Sequence, residues 1–134
     1  MFLTKECDYG LRIIRALANG EKSTAEEICE SENIPGQFAY KILKKLERAE
    51  YLRSSRGRDG GYWLVKPISD ITIYDVVSAI DKNLYLNECL RGDRRCTKNS
   101  SDKPCGVHME LKRIQKVLVD ELQQKTINDV VTAN

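Results

Sequence analysis

Asn33-Ile34-Pro35-Gly36-Gln37-Phe38-Ala39-Tyr40-Lys41-Ile42-Leu43-Lys44-Lys45-Leu46-Glu47-Arg48-Ala49 ends one helix and starts another. Pro-Gly stops the preceding helix, because Pro lacks an N–H and Gly is conformationally free. The pattern that follows predicts a helix from about Gln37 to Ala49, with Phe38, Ala39, Ile42, Leu43 and Leu46 inward. Its other face presents Tyr40, Lys41, Lys44, Lys45 and Arg48. Upstream, Ser23-Thr24-Ala25-Glu26-Glu27 holds a Thr-x-x-Glu capping box that opens a short helix with Ala25, Ile28 and Cys29 inward. Two helices joined by a tight break, the second strongly basic, read as a helix-turn-helix.

A hairpin follows at once. Leu52-Arg53-Ser54-Ser55 and Tyr62-Trp63-Leu64-Val65 flank Arg56-Gly57-Arg58-Asp59-Gly60-Gly61, a loop of turn residues carrying two arginines. A helix-turn-helix with such a hairpin is a winged helix. Glycines let the wing tip approach phosphates, and its arginines can follow the negative potential of a minor groove. Trp63 beside Tyr62 is expected to pack the wing rather than stack on bases.

Charge is distributed accordingly. Net charge is only +2, yet residues 21–34 carry five acids against Lys22, and residues 37–66 carry eight bases against three acids. A basic block beside an acidic one suits a face turned toward a polyanion. Lys41 and Lys44 are candidate phosphate contacts, Gln37 near the helix start is placed to read a base edge, and Tyr40 is an exposed candidate DNA contact beside them. Arg56 and Arg58 complete the candidate DNA contacts.

Outside this unit, Thr4 is placed to cap a first helix reaching about Ala18, with Leu11, Ile14, Leu17 and Ala18 on one face. Thr72-Ile73-Tyr74-Asp75 opens another helix ending near Ile80. A long helix is predicted from about Val107 to Gln124, where Val107, Leu111, Ile114, Leu118 and Leu122 form a narrow apolar seam. A seam of that width is expected to pair two chains, ordinary core packing being the alternative. Thr126 to Val131 reads as one further capped turn.

Between these helices lies Cys89-Leu-Arg-Gly-Asp-Arg-Arg-Cys96-Thr-Lys-Asn-Ser-Ser-Asp-Lys-Pro-Cys105-Gly-Val-His108, with three of the five cysteines and the only histidine. Its Gly, Asp, Asn, Ser and Pro cannot build an apolar core, so these donors are not there for packing. Thiolate and imidazole are ligands for zinc or an iron–sulfur cluster. Cys7 and Cys29 sit at apolar helical spacing and read as small core residues.

The expected fold is mainly α with a small β-hairpin. A winged helix-turn-helix domain spans 1–80, a cysteine-rich loop 81–106, and a dimerisation helix with a C-terminal turn 107–134. No apolar run approaches the roughly 18 residues of a membrane span. With no secretory leader and an odd cysteine count, a cytoplasmic, reducing setting is expected, without membrane or small-molecule substrate. An enzyme is disfavoured by the single histidine and the absence of a Cys-x-x-Cys pair or phosphate-binding Gly loop.

Several stretches resemble the IscR/NsrR group of bacterial winged-helix regulators. They are Leu3-Thr4-Lys5 with Asp8-Tyr9-Gly10-Leu11-Arg12, Ile34-Pro35 through Leu46, Arg56-Gly57-x-x-Gly60-Gly61-Tyr62-x-Leu64, and Ile71-Thr72-Ile73-x-Asp75-Val76-Val77-x-Ala79-Ile80. The likeness covers almost the whole chain. It implies a homodimeric transcription regulator, most often a repressor, on a pseudo-palindromic DNA operator, with C-terminal helices crossing between protomers. It also implies an iron–sulfur cluster sensing redox state, nitric oxide or cluster supply. A two-iron cluster is favoured and a four-iron one remains open; zinc is the alternative metal. Carried onto this chain, the ligands are Cys89, Cys96 and Cys105. His108 takes the fourth place as in the IscR branch, with Asp8 of a partner chain as the rival from the other branch. The gaps here, six and eight residues, are longer than in those branches.

Overall fold

The computed structural model describes residues 3–93 and 95–133. Helix α1 (Lys5–Ala16) lies against α2 (Ala25–Glu32), α3 (Gly36–Arg48) and α4 (Ile73–Ile80). The hairpin β1 (Leu52–Ser55) and β2 (Gly61–Leu64) follows α3 directly. Helix α5 (Gly106–Leu122) and the short α6 (Ile127–Val131) close the chain.

Threonines set four of the six helix starts. Thr4, Thr24, Thr72 and Thr126 each accept a hydrogen bond from the N–H three residues on. In the last three, Glu27, Asp75 and Asp129 return the bond to the cap's own N–H, completing the box. Asn33 ends α2 in the left-handed region, releasing the chain into Ile34-Pro35 and α3.

One core joins these elements. Ile13, Ile14, Leu17, Ile28, Ile42, Leu43, Leu46, Leu52, Ile71, Val76 and Val77 are essentially fully buried. Gly10 lets α1 and α4 meet, since a Cβ there would lie 2.9 Å from Ile80 Cγ1. The C-terminal turn returns to this core: the Ile127 N–H donates to the Ile71 carbonyl at 2.7 Å, and Ile127 is buried.

The structure corrects several expected placements. Phe38 is 39% exposed rather than buried, because it lies at the edge of α3 beside the Tyr9 ring, with centroids 5.9 Å apart. The first helix ends at Ala16, so Ala18 falls in a half-exposed turn, and Ile13 takes the core position the pattern missed. Cys29 is only half-buried. Lys45, expected on the open face of α3, is half-buried. Strand β2 begins one residue early, at Gly61, because its partner there is Ser55. Within the chain α5 buries no side chain fully. Leu111, Leu118 and Leu122 are half-covered, while Val107, Ile114 and Val117 are open.

Candidate nucleic-acid interface and cysteine loop

Helix α3 presents Gln37, Tyr40, Lys41 and Lys44 outward, while Ala39, Ile42, Leu43 and Leu46 hold it on the core. Its first turn has no side-chain cap, since Pro35 occupies the cap position. The Phe38 N–H donates to the Pro35 carbonyl at 3.0 Å, which leaves the Gly36 and Gln37 N–H groups to solvent or an anion. The Tyr40 hydroxyl donates to Glu26 at 2.9 Å, which fixes the ring between α2 and α3 and pushes its phenol pKa up. Lys44 makes no ion pair among the described residues.

Lys41 is engaged. Its Nζ lies 2.7 Å from Glu6 Oε1, and Lys45 Nζ lies 2.7 Å from Glu6 Oε2. Hydrogen bonds from Lys41 and then Lys45 hold the Glu6 carboxyl below its usual range. Lys45 also donates to the Ile80 carbonyl at 3.0 Å, at the end of α4. The sequence offered no signal for Glu6, because the contact spans 35 positions.

The wing is braced from outside the hairpin. Ser23 pairs with Tyr62 through two backbone hydrogen bonds of 3.0 and 2.7 Å, adding a one-residue third strand. Gly61, at φ +153°, is required there, since a Cβ would lie 2.8 Å from the Ser23 carbonyl oxygen. Lys22 donates to Ser55 Oγ and the Asp59 carbonyl, and its ammonium stands 4.9 Å over the Trp63 ring. Trp63 is therefore a packing residue of the wing. Arg56 and Arg58 extend from the tip, exposed and without ion pairs among the described residues. Tyr40 and Lys44 from α3, with Arg56, Gly57 and Tyr62 from the wing, line a cleft of about 460 Å³.

The cysteine loop leaves α4 and turns back along α5, where Gln115 Oε1 accepts from the Leu86 N–H at 2.9 Å. Cys89, Cys96 and His108 line one cavity of about 870 Å³, together with Arg91, Lys112 and Gln115. His108 Nδ1 is buried and has no hydrogen-bond partner among the described residues. Cys105 stands one turn before His108 at the start of α5, its N–H donating to Asn99 Oδ1 at 2.9 Å. It does not line the cavity. Among the described residues, no three Cys, His, Asp or Glu donors are gathered at ion-binding distance. The donor chemistry fits a soft metal or cluster, and so does a buried imidazole nitrogen with nothing to bond. Asp8 lies elsewhere, paired with Arg12 at 3.0 Å beside a groove lined by Leu11, Ile73, Ile127 and Val130.

Among the described residues no helix is long and apolar enough to cross a membrane. Protein aau3 of Rhizobium meliloti is 36% identical over 136 residues, covering 99% of this chain and 86% of that one. The transcriptional regulator NsrR of Bacillus licheniformis is 29% identical, covering 98% and 92%. In fold, the chain is similar to CymR, the global cysteine regulator of B. subtilis, with TM-score 0.76, 21% identity, and coverage of 100% and 98%. It is likewise similar to T. potens IscR, with TM-score 0.75, 18% identity, and coverage of 99% and 88%. Residues 3–133 match the Rrf2 family, described as an iron-dependent transcriptional regulator. With its winged helix-turn-helix and this match along nearly its whole length, the chain belongs to the Rrf2 family of transcription regulators.

Proposed function

We propose that the chain acts as a homodimeric DNA-binding repressor whose operator affinity is set by an iron–sulfur cluster. Cys89, Cys96, Cys105 and His108 would hold the cluster. The observation that carries this reading is the buried, unpartnered His108 Nδ1 beside the cavity that Cys89 and Cys96 also line. Cys105, one turn before His108, supplies the third thiol from the same helix start. When bound, an iron–sulfur group supplies bonds that oxidants or nitric oxide alter. A two-iron cluster fits a mixed thiolate and imidazole set; a four-iron cluster, and Asp8 of a partner chain as the fourth ligand, are the variants. The role is regulatory, not enzymatic.

The chain's own residues do the rest. Gln37 and Tyr40 read base edges, Lys44 neutralises a phosphate, and Arg56 and Arg58 follow the adjacent minor groove. Two chains pair through α5, whose Val107, Ile114 and Val117 stay 40–67% exposed within one protomer. Pairing sets the two α3 helices at a fixed separation, as a palindromic operator needs. The cysteine loop joins α4 directly to the pairing helix, so its conformation bears on that separation.

The zinc reading rests on the same donors, since three thiolates and an imidazole are also a structural zinc set. Anaerobic purification separates the two. Iron and acid-labile sulfide with visible absorption, lost in Cys96→Ser, support the cluster. A colourless protein with stoichiometric zinc supports the second reading, and a protein that retains neither metal sinks both.

A further inference from the structure

The recognition helix carries two exposed lysines one turn apart, and only Lys44 is unpaired. Lys41 is bound to Glu6, a residue of another helix. The Glu6 carboxylate is held by two lysines, one on each oxygen. It sits in the first turn of α1, immediately before the fully buried Cys7. Lys45 binds its second oxygen, and Lys45 is itself tied to the Ile80 carbonyl. Glu6 is therefore fixed by the fold, while Lys41, with its side chain 59% exposed, has no other ion-pair partner among the described residues. The two lysines differ in what they can give up: Lys45 is part of the scaffold, and Lys41 is exchangeable.

We propose that Glu6 is a specificity-determining residue, its carboxylate competing with DNA phosphate for Lys41. This rests on the DNA-binding reading above. On a sequence that Gln37 and Tyr40 do not match, nothing offsets the loss of the Glu6–Lys41 pair, and Lys41 stays with Glu6. Non-specific binding then neutralises one phosphate fewer than the count of exposed bases implies. On a matching sequence the base contacts seat α3 deeply enough for Lys41 to exchange its carboxylate for a phosphate. Glu6 thus lowers affinity for random DNA more than affinity for operator. That raises the specificity ratio, the quantity that matters where non-specific sites are in vast excess.

The slope of log affinity against log salt counts neutralised phosphates, at roughly 0.9 per contact. The test measures it by fluorescence anisotropy on a random-sequence duplex and on a duplex selected from a random pool. The full-length dimer is used as wild type, Glu6→Gln, Lys41→Ala and the double variant. Glu6→Gln is expected to steepen the random-DNA slope by about 1 and to lower the selected-to-random affinity ratio severalfold. Lys41→Ala alone should leave the random-DNA slope unchanged, yet remove the added unit in the Glu6→Gln background. Lys44→Ala should reduce the slope by about 1 in every background.

A Lys41→Ala protein whose random-DNA slope falls by the same amount with and without Glu6 overturns the proposal. Lys41 is then an ordinary phosphate contact, and Glu6 a general repulsion. The wild-type arm of that comparison needs no change at Glu6, so it stands even if Glu6→Gln fails to fold. A wild-type protein without salt-dependent binding to any duplex overturns the DNA-binding reading, and this one with it.

Discussion

Helices α1, α2, α4 and α6 each begin on a threonine that caps its own third residue. Helix α5 begins on Cys105 with no side-chain cap and buries none of its side chains fully. The winged half is therefore specified within the chain: its starts other than that of α3 are closed, its core is continuous, and its wing is tied at Ser23 and Lys22. The cysteine loop with α5 has one buried polar atom, His108 Nδ1, without a partner among the described residues, and exposed apolar surface at Val107, Ile114 and Val117. Local satisfaction marks the part that must hold its shape. Its lack marks the part for which a bound cofactor and a second chain are proposed. Helix α3 belongs to both descriptions, with a sealed inner face and an uncapped start.

The contrast is easiest to break through stability. Leu46→Ala empties a fully buried site and should cost about 2–5 kcal/mol in urea unfolding. Leu118→Glu, on the half-covered face of α5, should instead leave far-UV helicity mostly intact while abolishing dimerisation and operator binding. A Leu118→Glu protein that sediments as a dimer would mean that α5 packs on its own winged domain. Thr72→Ala removes a cap and should cost about 1 kcal/mol. Cys96→Ser should fall within about 0.5 kcal/mol of wild type when metal-free protein is compared, since Cys96 is exposed. A larger loss would show the loop to be structural.

The smallest expected effect is a pH dependence. The Glu6 carboxyl is lowered below its ordinary 4.5 by Lys41 and Lys45, so its pair stabilises the fold above that value. The contribution fades as pH falls through the lower folded value. Glu6→Gln should flatten that part of the acid limb in a stability-against-pH series. An unchanged limb would show the pair to be balanced by desolvation and screening.

What could be read in advance divides along the same line. Capping boxes at Thr24 and Thr72, the Pro35-Gly36 break and the wing glycines are local signals, because their physics acts over three or four residues. The loop donors were legible as chemistry, and the cavity draws in Cys89, Cys96 and His108 but not Cys105. Contacts between distant segments left no trace in the pattern: Glu6 with Lys41, Ser23 with Tyr62, and Ile127 with Ile71. Phe38 was misplaced for the same reason. A helical wheel assigns it to the apolar arc, but only the position of Tyr9 decides how much of it is covered.

The bond from the Ile127 N–H to the Ile71 carbonyl gives α5 the mechanics of a beam fixed at one end. Its far end, at Leu122, is five positions from that anchor, while its near end is attached to the cysteine loop. At 17 residues the beam is about 26 Å long, so a displacement of about 2 Å at Gly106 turns its axis by about 4°. Two such beams crossing at a two-fold axis would apply the rotation twice. In the proposed dimer, a small closure among the loop donors would become an angle between the two winged domains, with Ile127 as its pivot.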